Sequence, residues 1–226
     1  MTFALHLGHY RDTLAADTWD ATICDPPYSA RTHTGHDATG DLRASLGYVA
    51  WTPDDVRAFV EFVAPRTRGW IVAFTSHDLC PAYHSAYEAA GRYAFAPVPW
   101  VGIGSRVRLS GDGPSSWTCY AMVSRPRCDP WATWGTLPGA YITRGTVRDV
   151  VVTGAKPVEL MRDIVRDYSR PGDLVCDPTA GGATTLVAAL WEGRRALGSE
   201  IDPETHRRAL VRLGACDDNG PQARLL

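Results

Sequence analysis

Hydrophobic positions along the chain follow two signatures: short unbroken apolar runs, and longer stretches with an apolar residue every three or four positions. The runs predict buried strands and the periodic stretches predict helices. Phe3 to Leu7 and Ala21 to Cys24 read as strands, the second running straight into Asp25. Thr52-Pro53-Asp54-Asp55 reads as a helix start, with a capping threonine, proline at the first helical position and acids at the positive end. Val56, Phe59, Val60 and Val63 supply the apolar face of that helix. Trp70 to Thr75, bounded by Gly69, reads as a central parallel strand. A helix from about Leu79 ends at Gly91, and strands follow near Tyr93 to Val98 and Trp117 to Val123. Pro157 starts a helix that ends before Pro171-Gly172, and Leu174 to Cys176 is a strand running into Asp177. A glycine turn then leads to a helix ending at Gly193. Arg195 to Ser199 is a strand closed by Glu200, and the last helix runs from Pro203 to Gly214.

Strand alternates with helix throughout, which predicts an α/β protein with a largely parallel sheet. Three stretches lack either period: residues 29–50, 102–116 and 125–153, which read as loops inserted in a single domain spanning 1–226. A chain of 226 residues that is 45% hydrophobic is enough for one sizeable core. No apolar run reaches the roughly 18 residues of a membrane span, and the N-terminus has no basic segment leading into an apolar one. A cytoplasmic protein without membrane contact is the expectation.

Composition changes this picture in three places. Six cysteines without a CxxC pair read as reduced, mostly buried thiols, so neither a metal centre nor a disulfide framework is expected. A net charge of -2 means that any polyanion must be bound by local positive charge. Lys156 is the only lysine, Asn219 and Gln222 the only side-chain amides, and every other cation is arginine, the bias a GC-rich coding sequence produces.

Three of the strands end in an acid: Asp25, Asp177 and Glu200. In open α/β sheets, ligands sit beyond the carboxyl ends of the strands. After Asp177 the chain reads PTAGGATTLVAALWEG, a glycine-rich turn between strand and helix. Gly181 and Gly182 allow close backbone approach to a ligand, and a helix N-terminus favours a negative group. Glu200, about twenty residues on, suits the two hydroxyls of a ribose. The same string also suits a plain tight turn with an incidental acid. Asp25 opens a second unusual string, Asp25-Pro26-Pro27-Tyr28. The prolines remove two backbone donors and leave carbonyls, which with Asp25 make an all-acceptor set suited to a planar NH2 group. Tyr28 adds a flat face for a ring.

These strings resemble the DNA amino-methyltransferases, which methylate the exocyclic nitrogen of adenine or cytosine. Asp25-Pro26-Pro27-Tyr28 matches their catalytic motif [DNS]PP[YFW], and Asp177 to Thr185 matches, imperfectly, their cofactor loop DPFAGSGTT. AKPVELMRDIVRDYSRPGDLVCD is similar to the family's "QKPVEL…PGDLVLD", and GRRALGSEID to its "GRRAIGIEID". The likeness covers residues 3–30 and 154–213 well and the middle only in pattern. Because the catalytic string precedes the cofactor string, the order is the permuted one of the β class. Three positions depart: Thr179 stands for a phenylalanine, Ala183 for a glycine, and Gly8-His9 for a Gly-Asp pair whose acid Asp12 does not obviously replace. They bear on cofactor affinity and site selectivity.

The resemblance implies a Rossmann-like methyltransferase fold: a mostly parallel seven-stranded sheet with one antiparallel strand and circularly permuted motifs. It implies S-adenosyl-L-methionine as cofactor, DNA as partner with a homodimer left open, and a restriction–modification setting. By the same likeness Asp25, Pro26, Pro27 and Tyr28 are catalytic. Asp177, Pro178, Thr179, Gly181, Gly182, Thr184, Glu200, Lys156 and Asp25 bind the cofactor. Direct in-line transfer is expected, with Asp25 and the Pro26 carbonyl polarising the amine of a base flipped onto Tyr28. No cysteine stands beside the prolines as a nucleophile; Cys24 reads as core. Arg31, His33 and His36, with Arg106 and Arg108, are the candidates for DNA contact, or else solvated surface. Trp131 and Trp134 either wedge or pack beneath a loop, and His77-Asp78 either line the pocket or form a plain turn. Asp in the first motif position leans towards adenine N6. The alternatives are a cytosine-N4 enzyme and a catalytically inert nucleic-acid-binding subunit.

Overall fold

The structure, a computed structural model, describes residues 2–30, 49–104, 116–127, 134–144 and 154–219. In chain order the elements are β1 (Phe3–Leu7), α1 (Tyr10–Thr13), β2 (Ala21–Cys24), α2 (Pro53–Val63), β3 (Ile71–Thr75), a 3-10 turn (His77–Leu79), α3 (Cys80–Ala89), β4 (Arg92–Ala94), β5 (Val98–Ile103), β6 (Thr118–Pro126), β7 (Tyr141–Arg144), α4 (Val158–Tyr168), β8 (Leu174–Asp177), α5 (Thr184–Trp191), β9 (Arg195–Glu200) and α6 (Pro203–Asn219). They fall into two compact units. One comprises Met1–Asp25, Pro65–Val72 and Val147–Leu226, the other Pro26–Ala64 and Ala73–Thr146.

In the first unit the strand order is β1-β9-β8-β2, and each neighbouring pair is parallel. β2 sits beside β8 with Ala21 opposite Val175 and Thr22 opposite Cys176. The register is pinned below the ladder, where the Asp20 backbone N–H donates to Leu174 O at 2.9 Å and the Leu174 N–H donates to Asp20 Oδ2 at 2.8 Å. All four residues of β2 are buried, as expected of a parallel strand covered on both faces. Buried Trp19 is satisfied rather than stranded: its indole N–H donates to Thr22 Oγ1 at 2.6 Å and to Thr67 Oγ1 at 2.9 Å. α4 buries Leu160, Met161, Ile164, Val165 and Tyr168, one stripe at helical spacing, and packs along α5. Buried on all sides, α5 is apolar almost throughout. Gly198 in β9 explains how it comes so close: a Cβ there would meet Leu186 Cδ1 at 2.8 Å and Ala180 Cβ at 3.2 Å.

In the second unit β6 runs antiparallel to both β4 and β5, while β5 and β7 are parallel, so β6 is the reversed strand. α2 begins as its sequence predicts. Thr52 and Asp55 form a reciprocal capping box, with the Thr52 N–H donating to Asp55 Oδ2 at 2.8 Å and the Asp55 N–H to Thr52 Oγ1 at 3.3 Å. Val56, Phe59, Val60 and Val63 are its buried face.

Four expectations need correction. The sheet has nine strands among the described residues, where seven were expected. One of the extra two arises because the strand read as Tyr93–Val98 is broken. Ala94 faces Ser124 and Val98 faces Ala121, so three residues stand opposite two, a bulge in which Pro97 has no N–H to pair. The other is β7, four residues inside the stretch read as irregular, on the outer side of β5. β5 also continues to Ile103, into a segment read as loop from residue 102, and β6 continues to Pro126. Finally, α6 passes Gly214 and ends at Asn219. No helix of the described residues is long and apolar enough to cross a membrane.

Candidate functional site

The order β9-β8-β2 makes the strands ending in Glu200, Asp177 and Asp25 consecutive parallel neighbours. The three acids therefore share the carboxyl edge of the first unit's sheet, where α/β proteins bind ligands.

Asp177 is 2% exposed. Burial pushes its carboxyl up from 3.8 to about 7, opposed by hydrogen bonds from the Thr185 side chain and the Thr179 N–H, while the nearby charge of Asp25 adds to the rise. Its Oδ1 accepts the Thr179 N–H at 3.0 Å and the Thr179 hydroxyl at 3.4 Å. The threonine standing for the family's phenylalanine thus closes the loop onto its own acid. Ala183, standing for a glycine, is the left-handed residue that begins α5, at φ 60° and ψ 29°. An L residue there carries a backbone cost of about 1–2 kcal/mol, so the loop holds a shape that glycine adopts freely.

Glu200 is half-buried and faces the loop. Its Oε2 accepts the Gly181 N–H and its Oε1 the Asp202 N–H, both at 2.8 Å. Arg212 on α6, which sequence reading did not single out, donates to Gly182 O at 2.8 Å and Thr184 Oγ1 at 3.0 Å, bracing the turn from outside. A second brace runs from Ser199, whose hydroxyl donates to Gly8 O at 2.8 Å and pairs with Thr13 Oγ1 at 2.8 Å. His9, where the family has aspartate, caps α1: its Nδ1 accepts the Arg11 N–H at 3.2 Å. Only the polar residue types hinted at the Arg212 and Ser199 contacts, because these join segments far apart in sequence.

Asp25 is tied to Lys156. The ammonium donates to Oδ1 at 2.7 Å and Oδ2 at 2.6 Å, and the side chains are 25% and 6% exposed respectively. Lys156 and Asp25 are both expected at the cofactor, and the structure pairs them with each other at the end of β2.

Pro26 to Ser29 open the second unit. The Tyr28 carbonyl accepts the Trp51 N–H at 2.9 Å, and Tyr28 is half-buried. Ser29 is held by Ser76, whose hydroxyl donates to Ser29 Oγ at 3.3 Å. Burial pushes the carboxyl of Asp78, in the 3-10 turn, upward, but hydrogen bonds from Ser29, Ser76 and its own backbone N–H, with the charge of His77, together draw it below its ordinary value. His77-Asp78 is therefore more than a plain turn: Asp78 anchors the end of the proline string. Cys24 and Cys176 are buried, and burial pushes both thiols well above their ordinary value, which suits core and not a nucleophile. Trp134 is half-buried, whereas Arg31, His33, His36, Arg106, Arg108 and Trp131 lie outside the described residues. Among the described residues no group of three or more His, Cys, Asp or Glu could hold a metal ion.

Residues 129–211 match the family model described as DNA methylase. The DNA adenine methyltransferase YhdJ of Escherichia coli (strain K12) is 43% identical over 58 residues, 26% of this chain and 20% of that relative. None of the curated relatives is matched over more than 26% of its own length. Solved structures align more widely. The M1.HpyAVI–SAM complex gives a TM-score of 0.69 at 19% identity, covering 93% of this chain and 98% of that one. The PvuII DNA methyltransferase, described as cytosine-N4-specific, gives 0.66 at 13% identity, covering 96% and 90%. At such identities the likeness is one of fold. The chain thus shares its fold with these two structures, and residues 129–211, a stretch that does not include Asp25 to Tyr28, match the DNA methylase model.

Proposed function

We propose that the chain is an S-adenosyl-L-methionine-dependent DNA methyltransferase acting on the exocyclic amine of a flipped base, with adenine N6 as the target. The observation that carries this is the adjacency of the strands ending in Asp25, Asp177 and Glu200, with a braced glycine turn between the last two.

The residues present fit the cofactor. Each oxygen of Glu200 holds one backbone N–H, so each retains capacity for a ribose hydroxyl. Gly198 lets the loop lie against β9, and Thr179 and Thr185 hold the loop to Asp177. When bound, the cofactor supplies an electrophilic methyl group. Asp25 accepts an N–H of the target amine, assisted by the Pro26 carbonyl, drawing the nitrogen lone pair out of conjugation with the ring. The nitrogen so held would be ready to take that methyl group and would give up one N–H proton. Tyr28 offers its face to the base. Arg31, His33, Arg106 and Arg108 are the side chains proposed to meet DNA.

Asp25 as the first motif residue supports adenine over cytosine. Unmethylated DNA incubated with protein and cofactor, then digested to nucleosides and weighed, should contain N6-methyl-2′-deoxyadenosine. N4-methyl-2′-deoxycytidine alone would replace adenine by cytosine as the target. Ala183 in a left-handed conformation favours a second reading, an inert nucleic-acid-binding subunit. Absence of any methylated nucleoside, together with no heat of binding at millimolar cofactor, would select it.

A further inference from the structure

The only lysine of the chain meets the one carboxylate in the proline string. Both partners are held by backbone. Asp25 follows a strand whose four residues are all buried. Lys156 precedes Pro157, whose ring restricts the residue before it to extended conformations, and the Pro157 carbonyl accepts the Met161 N–H at 3.2 Å as α4 begins. A carboxylate offers about four lone-pair sites; the ammonium takes one on each oxygen and leaves one on each. Gripped at both oxygens, the carboxylate cannot turn without breaking a charge-assisted hydrogen bond. The pair is also neutral as a unit, beside the buried Asp177.

We propose that Lys156 is a positioning residue for methyl transfer that acts through Asp25, holding its carboxylate in one orientation as an acceptor for the amine N–H and not as the base for its proton. The proton released on methylation then leaves to water. This rests on the amine-transfer reading above and deepens it, since motif likeness alone assigned Lys156 to the cofactor. The two roles separate in measurement: a cofactor ligand governs cofactor Kd, whereas a group that orients Asp25 governs kcat.

Lys156→Met and Lys156→Arg are compared with wild type for kcat by nucleoside analysis and for cofactor Kd by calorimetry, which needs no turnover. The expected result is a fall in kcat of about 10- to 100-fold in Lys156→Met, the range for losing a group that orients a ligating side chain. Cofactor Kd should stay within about threefold of wild type, a change of less than 1 kcal/mol. Lys156→Arg, which keeps a two-pronged cation, should recover part of the rate. Thermal melts accompany each variant, and Lys156→Gln, with a neutral donor, replaces Lys156→Met if that variant does not fold. A tenfold or greater rise in cofactor Kd, a parallel loss in both quantities, or no change in either overturns the inference while wild type remains active. Wild type that forms no methylated nucleoside overturns the transfer reading, and this inference with it.

Discussion

Asp177 is kept where a carboxylate is least at home, 2% exposed and near a second acid, because the loop it closes supplies the compensation. Thr179 and Thr185 give it hydrogen bonds, yet burial outweighs them and its folded value rises to about 7. An acid raised in this way holds its proton in the native state over a range where the unfolded chain, at 3.8, has already lost it. Stability therefore falls as pH rises from about 4 to about 7, and the full cost is present above that window. Between pH 5 and pH 8 the part belonging to Asp177 amounts to about 3 kcal/mol. Asp177→Asn retains an acceptor for the Thr179 N–H and removes the titration. Urea unfolding at the two pH values should show wild type losing about 3 kcal/mol more than the variant; equal losses would mean that Asp177 titrates as a solvated acid.

At the scale of elements, the sequence is most informative where the signal is local. The α2 start at Thr52 and Asp55 is complete within four residues, and it was legible in full. Gly214 was misread because a glycine late in an amphipathic pattern resembles a stop, whereas buried Ala209 and Leu213 carry the helix past it. A Cβ at Gly214 would meet no heavy atom within 4 Å, and its φ is not in the left-handed region. Gly214→Ala should therefore add about 1 kcal/mol through helix propensity alone, raising Tm by about 2–4 °C. A calorimetric scan checks this, and an unchanged or lower Tm would show α6 to be strained at that position. The break between β4 and β5 was illegible for the opposite reason. Pro97 is a local mark of it, but the mismatch in count against β6, some two dozen residues later, is carried by no local string.

At the scale of the whole chain, the first unit is assembled from three separate segments, and its neighbouring strands β2 and β8 come from distant parts of the sequence. Pairing such distant strands closes long loops before any contact rewards it. The edge that bears Asp25, Asp177 and Glu200 was nevertheless legible, because each strand ends in its acid whatever the order of assembly. The tie between Asp25 and Lys156, 131 residues apart, was not: no spacing rule reaches that far, and motif likeness put both residues in one set without pairing them. That tie gives the molecule a reporter of its own. With one lysine in 226 residues, amine-selective acylation has a single side-chain target, and in the folded state that target is 6% exposed and ion-paired. Peptide mass spectrometry should find residue 156 acylated slowly in the native protein and rapidly in denaturant. Equal rates would mean that the pair does not persist in solution; a rate that changes when DNA or cofactor is added would time the opening of the grip on Asp25 without any engineered label.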